Sequence, residues 1–162
     1  MSTITWEASS EDQTQQLGQV LADLIPPGTV VSLNGTLGAG KTRLVKAMAS
    51  ALGIPAEDVI SPTFVIMQRY FGGKTLYHFD VYRIKDDDEF LELGPEEYFD
   101  SDGITLLEWA DQVANCLPRD YLRVDIEVLG ETTRMFTIAS VGAELENIPL
   151  QVKDALEAPG AT

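Results

Sequence analysis

GTLGAGKT at residues 35–42 matches the pattern G-x-x-x-x-G-K-[ST] of phosphate-binding loops. An apolar run at residues 29–33 precedes this stretch, and residues 44–52 follow it with apolar side chains at helical spacing. In such a strand–loop–helix unit, glycine lets the backbone curl so that several N–H groups face one concavity beside the helix N-terminus. The stretch therefore predicts an α/β fold built around a nucleoside triphosphate site.

Two side chains at the end of this loop carry the expected chemistry. Lys41 is placed to reach the β- and γ-phosphates of a bound nucleotide, and the Thr42 hydroxyl is placed to bind Mg²⁺. Two glycines and a Lys-Thr pair at these offsets rarely coincide by chance, since glycine makes up about 7% of average sequence. The motif indicates that a triphosphate binds, but not what its hydrolysis drives.

The composition is that of a globular protein with one core. The chain has 162 residues, of which 44% are hydrophobic and 23% charged. Cys116 is the single cysteine, so no internal disulfide forms, as expected in a reducing cytoplasm. No run of about 18 apolar residues predicts a membrane span, and the N-terminus lacks the segments of a secretion signal. We therefore expect a cytoplasmic protein without a membrane partner.

The charge balance argues against direct contact with nucleic acid. The chain carries 26 acidic and 11 basic residues, for a net charge of −15. Such a surface repels phosphate backbones, and few basic side chains are present to release counterions from them. The balance argues against strong, direct RNA or DNA binding unless the few basic residues cluster, and it favours a basic protein as partner.

Hydrophobic periodicity predicts a single domain over residues 1–150 and a flexible, Ala- and Pro-rich tail over 151–162. The expected architecture is a mixed, mostly parallel sheet with helices on both faces and an antiparallel hairpin at one edge. Ser9 or Ser10 caps the first helix, and Gly72-Gly73 turns a hairpin. The predicted segments are helices up to residue 25, up to 53 and at 110–117, helical turns at 86–93 and 96–99, and strands at 29–33, 64–70, 75–82, 104–107, 121–129 and 135–141.

Two acids follow apolar strands and are candidates to work with the loop. Asp80 ends the strand that contains His78, and Glu108 follows the apolar run at residues 104–107. An acid on a strand beside a phosphate loop holds Mg²⁺, usually through water, and can orient the attacking water. Local pattern leaves open which acid serves which role. His78 is expected to be a partly buried, hydrogen-bonded residue rather than a metal ligand, because no second histidine exists.

Further segments give the chain a specific resemblance. They are SPTF at 61–64, HFDVYR at 78–83, EYF at 97–99 and LEW at 107–109. Together with the loop, they resemble the TsaE (YjeE) family over roughly residues 10–130. The resemblance implies a bacterial cytosolic P-loop ATPase that acts with TsaB and TsaD in making the threonylcarbamoyl-adenosine of certain tRNAs. It also implies weak hydrolysis of ATP alone, stimulation by the partners, and contact with tRNA only through the complex.

The resemblance assigns roles to residues of the loop and to both acids. Glu108 resembles the acid that completes the Mg²⁺ site with Thr42. Asp80 resembles the acid that engages the catalytic water or the Mg²⁺ shell, and Lys41 acts on the transferring phosphate. The residues implied to cradle the phosphates of ATP or ADP are Gly38, Ala39, Gly40, Lys41 and Thr42.

The resemblance also places other positions around the nucleotide. Trp109 is implied to border the nucleotide or the TsaD-facing surface, and the start of the first helix, near Glu11, is implied to lie by the nucleoside. The segment 61–64 resembles a mobile switch near the γ-phosphate.

The loop departs from the family pattern GDLGAGKTT at two positions. Thr36 replaces the acid and removes a negative charge beside the phosphates. Arg43 replaces the second threonine and adds a positive charge just past Thr42. Because Lys41 and Thr42 are intact, we expect nucleotide binding to be retained, with tighter phosphate binding or altered turnover.

Two other functions are compatible with the same loop. A small-molecule kinase would need basic side chains to clamp a second phosphorylated ligand, and Arg69 and Arg83 are the main candidates. A nucleotide-gated scaffold would bind ATP or ADP and switch partners without useful turnover. Transfer of phosphate to a metabolite would identify the kinase, and single-turnover hydrolysis with the partners present would separate the scaffold from an ATPase.

Overall fold

The computed structural model describes residues 2–36, 38–60 and 66–158. None of the helices in these ranges is long and apolar enough to cross a membrane. The strands are β1 (Thr3–Ala8), β2 (Val30–Asn34), β3 (Met67–Tyr70), β4 (Leu76–Asp80), β5 (Ile104–Glu108), β6 (Tyr121–Val128) and β7 (Arg134–Val141). The helices are α1 (Glu11–Leu24), α2 (Lys41–Ala51), α3 (Asp87–Leu91), α4 (Pro95–Phe99) and α5 (Ile148–Glu157), with 3₁₀ segments at Ala56–Asp58 and Ala110–Cys116.

The strands form one mixed sheet in the order β1-β7-β6-β2-β5-β4-β3. β2 is parallel to both β5 and β6, and β4 is parallel to β5. The outer pairings, β1 with β7, β7 with β6 and β3 with β4, are antiparallel. The predicted α/β fold with a parallel sheet centre is therefore confirmed.

The antiparallel hairpin of β6 and β7 is confirmed, but it does not form the edge of the sheet. β1, which was not predicted, pairs with residues 134–139 of β7 and is the outermost strand. Its side chains alternate between core and solvent, with Ile4 and Ala8 buried. This alternation is short and lies far in sequence from its partner, so local pattern did not separate it from an irregular terminus.

Helices cover both faces of the sheet, as predicted. On one face α1, α2 and α5 pack on a core that includes Leu17, Leu44 and Val152. On the other face α3, α4 and the 110–116 segment cover a smaller core. β2 and β5 lie between these layers and are buried along their whole length. Parallel strands that are buried on both faces need apolar side chains on both, and the sequences of β2 and β5 supply them.

The start of α1 follows the capping pattern of its sequence. The Gln13 N–H donates to Ser10 Oγ over 3.2 Å, and the Ser9 N–H donates to Gln13 Oε1 over 2.7 Å. The first contact satisfies an N–H group that the first helical turn leaves open, and the second ties the residue before the cap to the helix. The predicted cap is therefore confirmed at Ser10.

Two predicted segments differ in the structure. β4 ends at Asp80 rather than at residue 82, because Asp80 Oδ1 accepts the Tyr82 N–H over 2.9 Å and turns the chain. Residues 110–116 form a 3₁₀ segment with non-helical dihedral angles at Val113, rather than an α-helix. The expected switch at 61–64 and the first part of the strand at 64–70 lie outside the described residues.

The expected flexible tail is wrong for residues 151–157. These residues belong to α5, which packs against α1 and β1. Val152 and Leu156 lie one turn apart on the same side of this helix and are both buried. Burial of this stripe outweighs the Ala- and Pro-rich composition on which the expectation of flexibility rested.

The close approach of α1 to α2 provides a test of the packing. A methyl group added at Gly18 would lie 2.3 Å from Ala47 Cβ. We expect Gly18→Ala to lower the free energy of unfolding by about 1–3 kcal/mol in urea denaturation, although alanine favours a helix by about 1 kcal/mol. Gly73→Ala is the matched control, because the nearest atom to its added methyl group would be 3.8 Å away. A stabilised Gly18→Ala variant would contradict this packing.

Candidate functional site

The loop between β2 and α2 adopts a backbone that depends on glycine. Gly38 and Gly40 have φ angles of 81° and 111°, in the left-handed region that other residues rarely adopt. The Ala39 N–H donates to the Thr36 carbonyl over 2.9 Å, and α2 begins directly after Gly40. The first N–H groups of α2 have no partner within the helix, so they and the helix dipole face any anion that the loop encloses.

Gly35 allows the loop to lie directly against β6. A Cβ atom at this position would be 2.8 Å from the Ile126 carbonyl oxygen and 3.0 Å from Ala39 Cβ. No other residue fits without moving the backbone, since real Cβ atoms do not approach so closely. The first glycine of the motif is thus required by packing.

Lys41 lies inside the loop rather than in solvent. Its side chain ammonium donates to the carbonyl oxygens of Gly35, over 2.6 Å, and Thr36, over 3.1 Å. Nζ also lies 3.7 Å from the centre of the Trp109 ring, where the negative face of the indole attracts a cation. Burial lowers the pKa of Lys41, and the negative charges of Glu108 and Asp80 act in the opposite direction.

Thr42 and Glu108 meet at the start of α2. The Thr42 hydroxyl lies 3.0 Å from Glu108 Oε2 and 3.3 Å from Oε1. Glu108 is only 3% exposed, at the end of β5. A hydroxyl and a carboxylate are hard oxygen donors of the kind that Mg²⁺ takes, so these two residues fit the ion.

Asp80 lies at the same edge of the sheet as Glu108. The parallel register of β4 and β5 pairs Asp80 directly with Glu108, and both side chains project from the same face. Asp80 is 3% exposed. The structure thus brings both predicted acids to the loop, and the geometry leaves open which of them serves Mg²⁺ and which serves water.

Protein ligands alone do not make a metal cage at this edge. Within the described ranges, no group of at least three His, Cys, Asp or Glu side chains could hold a metal ion. Mg²⁺ commonly binds through one or two carboxylates and completes its shell with water and substrate phosphates. The residues present therefore suit an ion that arrives with a nucleotide.

His78 contacts Glu108 from the interior of the sheet. Its Nε2 lies 2.5 Å from Glu108 Oε2, and its side chain is fully buried. Nδ1 has no hydrogen-bond partner among the described residues. This arrangement places the proton on Nε2, where it donates to the carboxylate and orients it toward Thr42. The expected hydrogen-bonded histidine is confirmed, and its burial is complete rather than partial.

Trp109 borders the loop at the end of β5. Its φ angle of 65° turns the chain out of the strand, and its backbone N–H donates to the Leu33 carbonyl over 3.1 Å. Its ring lies on Lys41 and contacts the Tyr82 ring, with centroids 4.8 Å apart. The structure therefore places Trp109 beside the candidate phosphate site.

A cavity of about 180 Å³ opens on the other side of the loop. Glu11 and Arg43 both line it and form an ion pair over 3.2 Å. The structure thus places the start of α1 beside the loop, and the added charge of Arg43 faces an acid. Other lining residues are Thr14, Gly38, Ala39, Gly40, Glu131, Thr132, Arg134 and Phe136.

Arg134 is a site residue that sequence reasoning missed. It begins β7, yet its Nε donates to the Ala39 carbonyl over 2.9 Å. Nothing in the local pattern around Arg134 connects it with a loop that precedes it by some 95 residues. Only the order of the strands brings the two together.

The strand–loop–helix unit of β2 and α2, set beside the parallel centre of the sheet, defines a P-loop fold. The family model for "Threonylcarbamoyl adenosine biosynthesis protein TsaE" matches residues 8–136. The chain belongs to the TsaE family, whose role is in the biosynthesis of threonylcarbamoyladenosine in tRNA. The resemblance found in the sequence is confirmed.

Individual relatives agree over most of the chain. The tRNA threonylcarbamoyladenosine biosynthesis protein TsaE of Bacillus subtilis is 39% identical over 147 residues, covering 90% of this chain and 91% of that protein. The Treponema pallidum protein of the same name is 39% identical over 130 residues, covering 80% and 96%. The crystal structure of Bacillus subtilis YdiB matches with a TM-score of 0.74 and 31% identity, covering 96% of this chain and 94% of that one.

The contact between His78 and Glu108 provides a second test. His78→Leu removes the donor and leaves a buried carboxylate without it, so we expect a loss of about 1–3 kcal/mol in the free energy of unfolding. His78→Gln should recover part of this loss, because its amide nitrogen can take the position of Nε2. Urea denaturation measures both variants.

A double-mutant cycle with Glu108→Gln serves as the control for that test. In this background His78→Leu should lower the free energy of unfolding by less, because the amide introduced at position 108 carries no charge that needs a strong donor. Equal costs in the two backgrounds would show that the histidine stabilises the fold independently of Glu108.

Proposed function

We propose that the chain is an ATP-binding, ATP-hydrolysing subunit that supports TsaB and TsaD in the threonylcarbamoyl-adenosine modification of tRNA. The observation that carries the proposal is the contact of Thr42 with Glu108 at the mouth of a glycine-dependent loop that also holds Lys41. This set combines a phosphate ligand, a hydroxyl and a carboxylate in the arrangement that Mg-nucleotide binding needs.

The proposed mechanism relies on positioning and on charge. The ammonium of Lys41 exchanges its backbone carbonyl partners for phosphate oxygens, and the N–H groups at the start of α2 bind the same phosphates. Bound Mg²⁺ would neutralise part of the charge on the phosphate oxygens. Asp80 or Glu108 orients the water in line with the γ-phosphate, and His78 keeps the Glu108 carboxylate in place.

The proposed division of labour agrees with the charge of the chain. With a net charge of −15, the subunit disfavours direct contact with tRNA, so its contact with tRNA would run through its partners. The hydrolysis cycle would then act on TsaD and TsaB rather than on the tRNA directly. The proposed cofactors are ATP or ADP and Mg²⁺, and the proposed location is the cytoplasm.

Replacement of Lys41 tests the binding part of the proposal. Lys41→Ala removes the ammonium that would contact the phosphates, and we expect at least a tenfold rise in the Kd for Mg-ATP by calorimetry, equivalent to about 1.4 kcal/mol. Lys46→Ala is the matched control, because Lys46 is an exposed lysine five residues further along α2. Unchanged affinity in Lys41→Ala would refute the assignment of the loop.

Replacement of the acids tests the hydrolytic part of the proposal. In turnover assays with TsaB and TsaD present, Asp80→Ala and Glu108→Ala should each lower the rate by about 10² or more. Glu96→Ala, at an exposed acid on α4, should leave the rate unchanged. Parent rates in both acid variants would rule out this catalytic pair.

The same assay separates the proposal from its alternatives. Faster release of phosphate when TsaB and TsaD are added supports an ATPase that its partners complete. Transfer of the labelled γ-phosphate to a metabolite would instead identify a small-molecule kinase. Tight nucleotide binding without hydrolysis, even in a single turnover with the partners, would identify a nucleotide-gated scaffold.

A further inference from the structure

Arg134 joins the turn between β6 and β7 to the phosphate loop. Its Nε donates to the Ala39 carbonyl over 2.9 Å. Its Nη1 lies within hydrogen-bond distance of carbonyl oxygens in the turn, at 2.8 Å from Gly130 and 3.0 Å from Thr133. One guanidinium thus holds two backbone segments that are far apart in sequence, and its planar, rigid fork fixes their relative position.

The contact with Ala39 also determines the direction of the next N–H group. The Ala39 carbonyl and the Gly40 N–H belong to one planar trans peptide, in which the two groups point in opposite directions. A carbonyl held by Arg134 therefore turns the Gly40 N–H away from Arg134. Gly40 needs this restraint, because a glycine at φ 111° has wide backbone freedom and no side chain to anchor it.

We propose that Arg134 is a positioning residue that preorganises the phosphate loop by turning the Gly40 N–H toward the bound phosphates. This inference rests on the proposed nucleotide site and deepens it. Arg134 acts on the phosphates through the Ala39–Gly40 peptide, although its side chain also lines the neighbouring cavity. We therefore expect Arg134 to raise the affinity for every ligand that carries these phosphates, with or without a nucleoside.

Binding of pyrophosphate and of ADP to purified variants tests this role. The full chain is titrated by calorimetry with each ligand in the presence of Mg²⁺. For Arg134→Met we expect a rise in Kd of roughly tenfold for both ligands, the loss expected of one well-oriented hydrogen bond to an anion. Arg134→Lys keeps a donor without the fork and should lie between Arg134→Met and the parent.

Arg119→Met is the matched control for the change in charge and volume. Arg119 is exposed and lies just before β6, at the end of that strand opposite the loop. This variant should bind both ligands like the parent. Thermal unfolding of all variants shows whether the fold persists, and Arg134→Lys carries the test if Arg134→Met does not fold.

A measurement without ligand separates preorganisation from a general loss of stability. Hydrogen exchange at the Ala39 and Leu44 amides of the free protein, which donate to the Thr36 and Gly40 carbonyls, should accelerate in Arg134→Met by tenfold or more, whereas exchange in β2 and β5 should remain at the parent rate. Equal acceleration in the loop and in these central strands would mean that Arg134 only stabilises the fold, and would overturn the inference.

The outcomes distinguish this inference from the proposed function. Parent-like binding of both ligands by Arg134→Met overturns the positioning role and leaves the nucleotide site intact. Weaker binding of ADP with unchanged binding of pyrophosphate also overturns it, because Arg134 would then contact the nucleoside. If the parent chain binds neither ligand, the proposed function fails, and the inference fails with it.

Discussion

The parallel pairing of β2, β5 and β4 is the constraint on which the candidate site depends. β2 leads into the loop, while the register pairs Leu33 with Glu108 and Glu108 with Asp80, so both acids end their strands beside it. Because side chains alternate along a strand, a slip of one residue would turn an acid to the opposite face. Such a slip would also separate Glu108 from His78 and Thr42, so these buried polar contacts favour the observed register.

Burial of two carboxylates in this edge is costly unless each has partners. The Glu108 carboxylate forms hydrogen bonds with His78 and with the Thr42 hydroxyl. Asp80 accepts the Tyr82 N–H, and the same contact ends β4. These polar contacts tie β4, β5 and α2 together, so the residues proposed for chemistry also contribute to the local structure. Variants at these positions therefore need a measure of stability beside any measure of activity.

Sequence reasoning succeeded where a signal is local. The loop motif, the Ser10 cap and the apolar run of β5 each act within a few residues, and each appears in the structure where it was expected. The two acids were found for the same reason, because an acid directly after a buried strand is visible in one short window. His78 was expected to be hydrogen-bonded, but its partner, Glu108, became visible only through the pairing of β4 with β5.

The features that were missed depend on contacts between distant segments. β1 forms its strand pairing with β7, and α5 packs against α1 and β1, which are distant from it in sequence, and against β7. Arg134 reaches the loop because β6, which pairs with β7, lies next to β2 in the sheet. The long-range contacts of β1, α5 and Arg134 are not encoded by any local signal, since tertiary burial decides them.

The charges around the loop indicate that the proposed nucleotide would need a cation. Lys41 contributes one positive charge, whereas Asp80 and Glu108 contribute two negative ones, and Arg43 is paired with Glu11. Two like charges 4 Å apart repel by about 4 kcal/mol at an effective dielectric constant of 20, so a triphosphate beside these acids would be repelled. Mg²⁺ held by Thr42 and the carboxylates would offset this repulsion. We infer that nucleotide and Mg²⁺ each raise the affinity of the chain for the other, because linkage makes such coupling reciprocal.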